Sequence, residues 1–96
     1  MSRRAIIEQS ILFSGLAEAQ VAAIENIVES RRFDRGQMIF HEGEESQGFY
    51  IVAHGKVKIY KVSSAGKEHI LHIFGSGEPF GEVPVFHGKP FPANAE

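Results

Sequence analysis

Gly75-Ser76-Gly77-Glu78-Pro79-Phe80-Gly81-Glu82-Val83-Pro84-Val85-Phe86 is the stretch whose reading decides the fold. An apolar run, Ile70-Leu71-His72-Ile73-Phe74, ends just before it. Two glycines and a proline then break the strand. Gly81 follows, directly before the carboxylate of Glu82, and a short apolar turn comes next. Glycine lets a backbone come close to a ligand, and a fresh helical turn presents free N–H groups that suit an anion. A chain builds a small-molecule pocket at the mouth of a β-roll in this way.

Upstream of that corner, glycine recurs at 36, 43, 48, 55 and 66, with further glycines at 75, 77, 81 and 88. Short runs rich in Ile, Val, Phe and Tyr lie between them, the signature of an antiparallel sandwich or barrel. The pattern predicts strands near 31–35, 37–41, 48–54, 56–63 and 67–74. Lys56-Val57-Lys58-Ile59-Tyr60-Lys61-Val62 alternates lysine with apolar residues, so one face points to the core and one to water. Ser63-Ser64-Ala65-Gly66 reads as a hairpin turn. Ahead of residue 31 the period changes. Ile6, Ile7, Ile11 and Leu12 predict a short helix over 3–12. Ser14-Gly15 breaks it and can cap the next one. Leu16, Val21, Ile24, Ile27 and Val28 predict a second helix ending near Ser30.

The corner resembles the phosphate-binding cassette of cyclic-nucleotide-binding domains, in the form used by bacterial Crp/Fnr transcription regulators. Phe40-His41-Glu42-Gly43-Glu44 resembles that family's F-x-x-G-[DE] turn, and Phe49-Tyr50-Ile51-Val52-Ala53-His54-Gly55-Lys56-Val57-Lys58-Ile59-Tyr60 resembles its Y-I-V-x-x-G-x-V-x-[IVL]-Y hairpin. The resemblance implies a mainly β fold: a double-stranded β-helix, or jelly-roll-like β-roll, with short N-terminal helices, truncated before the closing strands. It implies one incomplete domain over 1–96, with helices in 1–30, the roll in 31–96 and the cassette at 75–93. It also implies an effector-sensing role in a transcription regulator that is bacterial, cytoplasmic and homodimeric. DNA would be read only through a C-terminal domain lying outside this sequence. Phe91-Pro92-Ala93-Asn94-Ala95-Glu96 reads as the start of another strand. The expectation is therefore an N-terminal piece with an unpaired edge, which is a template for association, so that the isolated piece is dimeric, domain-swapped or weakly folded.

In nucleotide-binding members the cassette's Gly lies against the ligand and its Glu accepts from the ribose hydroxyl; Gly81 and Glu82 match those roles. An Arg ten residues after the Glu, followed by Ser or Thr, holds the cyclic phosphate with its planar fork. Here that position is Pro92, which has no charge and no N–H donor, and the next is Ala93, which has no hydroxyl. The expectation is that cyclic AMP is not bound at physiological levels. The candidate effector-binding set is Phe80, Gly81, Glu82, Val83, Leu71, His72, Pro92 and Ala93, around a small molecule of unknown identity. The alternative role for Glu82 is to cap the short turn.

Composition narrows the classes. The chain has 96 residues, a formal charge of −2 and no cysteine. It is one small domain. It carries no run near the ~18 apolar residues of a membrane span and no signal-peptide pattern, so no membrane partner is expected. It carries no basic footprint for nucleic acid; Arg31, Arg32 and Arg35 read as a solvated face. A cysteine-ligated iron–sulfur cluster is excluded for this sequence. The cofactor stays unknown. His72, between Leu71 and Ile73, could line the cavity or ligate haem, as in the haem-binding nitric oxide and carbon monoxide sensors of the same family. His69 and His72 are three apart on one predicted strand, so they should face opposite ways unless a bulge intervenes. His41, His54 and His87 lie by glycine-containing turns and read as exposed. Two further readings stay open: a regulatory module of an enzyme or channel, and a cupin-like metal protein, whose His-x-His pair followed by Glu is missing here. No metal ligand set, catalytic triad or paired carboxylates stands out, so no enzyme activity is expected.

Overall fold

The structure, a computed structural model, describes residues 2–10 and 13–96. On its last helix the side chains of Val83, Val85 and Phe86 lie outside that description, as do Ile11 and Leu12 of the predicted first helical face.

Helix α1 spans Arg3–Gln9 and α2 spans Glu18–Ile27. Ser2 starts α1, its hydroxyl accepting from the Ala5 N–H at 3.1 Å. The cap of α2 differs from the sequence expectation. Ser14-Gly15 forms the intervening turn. Ala17 is the N-cap, and the Gln20 side chain reaches back to its N–H at 3.0 Å. That interaction satisfies an orphan donor without a Ser or Thr at the cap. The helices pack as a hairpin around buried Ile7 and Val21. Arg4 bridges them with a 2.6 Å ion pair to Glu18, and Arg3 donates to the Val28 carbonyl at 2.8 Å.

The β portion consists of β1 (Tyr50–Ile51), β2 (Val57–Val62), β3 (Glu68–Phe74), β4 (Pro79–Phe80), α3 (Glu82–His87) and β5 (Asn94–Ala95). All pairings are antiparallel: β1 with β4, and β3-β2-β5 in a second sheet. The mainly β roll and the 63–66 hairpin match the expectation. The hairpin closes through Ser63 N–H to the Lys67 carbonyl at 2.8 Å.

Two predicted strands do not form. Residues 31–35 are irregular. Asp34 and Gln37 exchange bonds across a turn (Gln37 N–H to Asp34 carbonyl, 3.0 Å; Asp34 N–H to Gln37 Oε1, 2.9 Å). Gly36 takes the positive φ of 80° that this turn demands. Within 37–41 only Phe40 pairs, in a bridge to Ala95. Predicted strand 48–54 contracts to Tyr50–Ile51, because Val52 exchanges bonds with Glu78 (3.0 Å) and Gly77 (2.7 Å) across the Gly75–Glu78 turn. Pro79, read as a breaker, sits in β4 instead. A two-stranded edge tolerates its missing N–H.

The core holds Phe40, Val52, Val57, Phe80, Phe91 and Ala95, with Tyr50, Ile59 and Phe74 packed against it. The lysine/apolar alternation of β2 holds from Val57 to Ile59. At Ile59/Tyr60 the register to β3 shifts, and Leu71 is the extra residue. This bulge brings both His72 (opposite Ile59) and His69 (opposite Lys61) to one side of the ribbon. The strict alternation that would separate them is therefore corrected. Both are exposed, and among the described residues no group of three or more His, Asp or Glu could hold a metal. Among the described residues no helix is long and apolar enough to cross a membrane.

Candidate functional site

The corner after β4 is built by ring packing around one glycine. Pairing of β1 with β4 sets Tyr50 opposite Phe80, their rings 5.1 Å apart and 12° from parallel. The chain then turns at Gly81 with φ of 77°. A Cβ there would stand 3.2 Å from Phe91 Cε1, 3.6 Å from Phe40 Cε2 and 3.8 Å from Tyr50 Cδ2. Both backbone and space therefore require glycine. α3 starts at Glu82 in the next step.

The segment after α3 returns across this corner. Phe91 stacks on Phe40 with centroids 3.7 Å apart and planes 6° from parallel. Its backbone is pinned to the 43–44 turn, Gly43 N–H donating to the Phe91 carbonyl (2.8 Å) and Phe91 N–H to the Glu44 carbonyl (3.0 Å). Ser46 Oγ donates to the Lys89 carbonyl, and Glu42 N–H to Asn94 Oδ1 at 2.9 Å.

An open cleft of about 200 Å³ lies between these pieces. Phe40, Ile59, Phe74 and Phe80 line it from the roll. Gly81, Glu82 and Pro84 line it from the corner, and Phe91, Pro92 and Ala93 from the return segment. Five of the eight predicted effector-binding residues, Phe80, Gly81, Glu82, Pro92 and Ala93, come together here. Val83 lies on α3, with its side chain outside the description. Leu71 is the bulged residue, 57% exposed, and is not in the lining. His72 is exposed, its ring 4.3 Å from that of Phe74, and it is not in the lining either. Among the described residues no histidine lines the cleft, so these residues do not fit a haem held by an axial histidine.

The residue that sequence reading missed is Phe91. Counting ten residues from Glu82 pointed to Pro92, but the side chain that enters the corner beside Gly81 is the ninth. Residues 91–96 already carried the signal. Phe91, Ala93 and Ala95 are buried in alternation with exposed or half-exposed Pro92, Asn94 and Glu96. That is a period-two strand pattern, which keeps Pro92 out of the buried ring stack and on the exposed part of the cleft lining.

Glu82 is partly exposed at the cleft, with no ion-pair or hydrogen-bond partner among the described residues. A larger hollow of about 320 Å³ opens elsewhere, against Arg31, Glu44, Glu45 and Gln47. Ile39, Tyr50 and Phe91 form its apolar wall, so it adjoins the back of the same ring stack, and its charged rim of Arg31, Glu44 and Glu45 is exposed.

β5 is fastened to β2 by a polar clasp. Lys58 and Glu96 exchange backbone bonds at 2.7 and 3.0 Å. The Lys58 ammonium sits 2.6 Å from Glu68 and 2.9 Å from Glu96, and 4.7 Å above the Tyr60 ring. Tyr60 Oη donates to Glu96 at 3.2 Å. Hydrogen bonding to Glu68, then to Glu96, raises the Lys58 pKa. The bond from Lys58 holds the Glu96 carboxyl below its ordinary value.

The sequence profile of the cyclic nucleotide-binding domain matches residues 30–96. A CRP-like cAMP-activated global transcriptional regulator of Mycobacterium tuberculosis is 33% identical over 90 residues, which cover 94% of this chain and 40% of that one. Among solved structures, a regulatory protein of Silicibacter pomeroyi superposes with a TM-score of 0.89 at 33% identity, covering 99% of this chain and 44% of that one. The sensor domain of the transcriptional regulator DNR of Pseudomonas aeruginosa superposes with a TM-score of 0.88 at 28% identity, covering 97% and 63%. The chain thus spans less than half the length of the whole regulator it matches.

Proposed function

The chain belongs to the cyclic nucleotide-binding domain family, and from that premise we propose that it is the effector-sensing domain of a Crp-type transcription regulator that does not respond to cyclic AMP. It acts as a binding module, not an enzyme: a single domain over 1–96, with helices in 1–30, the roll in 31–96 and the cassette at 75–93. Phe80, Gly81, Glu82, Pro92 and Ala93 form the effector side of the cleft. The regulator is cytoplasmic and homodimeric, and it reads DNA through a separate domain.

One observation carries the cyclic AMP part of this reading: a phenylalanine is stacked into the corner beside Gly81, where a phosphate-binding cassette needs a cation. Among the described residues the cleft lining contains one carboxylate and no basic side chain. Seating a cyclic phosphate there would strand an anion without a counter-charge, at several kcal/mol. Pro92 offers no N–H.

The signal passes as a population shift. An effector in the cleft biases the α3 corner between arrangements, and the rest of the regulator reads the shift. Calorimetry with cyclic AMP tests the reading. No heat beyond dilution is expected up to millimolar nucleotide, whereas micromolar binding would overturn the proposal.

A further inference from the structure

We propose that the effector of this cleft is a small, flat, apolar molecule carrying a protonated amine, its ammonium paired with Glu82 and its flat face against the rings. The inference rests on the proposed sensing role and names the ligand class. Three observations carry it. Among the described residues Glu82 is the one charged side chain of the lining, and it has no partner there. Phe40, Phe74, Phe80 and Phe91 supply ring surface, and ring faces attract cations as well as burying apolar area. Lys58, beside Ile59 on β2, is occupied by Glu68 and Glu96 and is not in the lining. An anion would meet a like charge and no donor fork. A cation meets a carboxylate whose field is strengthened by apolar walls. The volume of about 200 Å³ suits a bicyclic ring with a short arm, not a long chain.

The test uses three probes of one shape: tryptamine (cation), tryptophol (neutral hydroxyl) and indole-3-propionate (anion). Amide chemical-shift titrations of the whole chain report affinity and place. Tryptamine should bind about tenfold tighter than tryptophol, with indole-3-propionate weakest and the largest shifts at Gly81 and Ala93. The tryptamine preference should shrink as salt is added. Glu82→Gln should remove the preference; because Glu82 is partly exposed and has no partner among the described residues, the variant's melt should match the parent's.

Equal affinity for tryptamine and tryptophol, a preference that survives Glu82→Gln, or no shift at Gly81 with any probe at millimolar concentration would each overturn the inference. A parallel cyclic AMP titration separates the two claims. Failure of tryptamine with cyclic AMP also silent sinks the ligand class and leaves the sensing role standing. Micromolar cyclic AMP binding sinks the cyclic AMP part of the functional reading and the ligand class together.

Discussion

The α1–α2 hairpin and the Gly81 corner are assembled by opposite means. The hairpin buries one aliphatic side chain per helix, Ile7 and Val21, and ties its flanks with ion pairs from Arg4 to Glu18, Glu25 and Glu8 at 2.6–3.8 Å. The carboxylates face solvent, Glu18 being 77% exposed, so salt screens the pairs and each is a weak tie, although Arg4 Nε itself is buried. The corner buries Phe40, Phe80 and Phe91 around a glycine with no room for a methyl group. Rings packed this closely tolerate little change in volume. The difference shows how a small domain divides its work. The corner is shaped to fractions of an ångström, a Cβ at Gly81 standing 3.2 Å from Phe91. The flanking hairpin needs only to stay attached, here through a tilted Phe13–Phe49 contact at 6.2 Å.

Breaking the corner should cost most. Phe40→Ala removes the ring stacked on Phe91 and in contact with Tyr50 and Phe80. A loss of ~3–5 kcal/mol is expected, enough to abolish a cooperative urea transition in a domain this small. Gly81→Ala comes next. The left-handed φ alone costs ~1–3 kcal/mol for a side-chain-bearing residue, and the contact to Phe91 at 3.2 Å adds to it. Denaturant midpoints measure both. If Gly81→Ala melts like the parent, the corner is looser than the ring packing implies.

In the hairpin, Ile7→Val should cost ~0.5–1.5 kcal/mol and leave the corner amides unshifted in NMR spectra. A shift at Gly81 would show that the two regions are one packing unit.

The Lys58–Glu96 clasp sharpens the comparison from the polar side. Glu96 has a lowered pKa, so its contribution is complete above its ordinary value of 4.5 and is lost as pH falls through the lower folded value. Lys58 has a raised pKa, so its contribution is complete below its ordinary value of 10.5 and is lost as pH rises through the higher folded value. The clasp is whole between those limits. Lys58→Met should move the acid transition, followed by tyrosine fluorescence, to higher pH. Arg4→Gln should change least, with a small drop in melting temperature that vanishes in high salt.

Much of this was legible in the residues. Alternation in β2, turn glycines and the Gly81-Glu82 pair located the roll, the hairpin and the corner, because period-two burial and positive φ leave direct marks on composition. The bulge at Leu71 was not legible, since one extra residue in a strand carries no composition of its own. It is what brings His69 and His72 to one side. The irregular course of 31–39 was hidden for a related reason. Its apolar residues look strand-like, but a strand exists only where another segment supplies bonds, and Asp34–Gln37 bonds to itself instead.

The residues alone were enough for the β-roll class and for the tight Gly81-Glu82 corner after the apolar strand. Those follow from local chemistry: which residues lack a Cβ or an N–H. It took the tertiary structure to show that Phe91, not Pro92, fills the corner, and that Glu82 is the one charged side chain lining the cleft among the described residues. Both depend on how residues 91–95 return across Phe40 and β2, and contacts between segments fifty residues apart are set by packing, not by spacing along the chain.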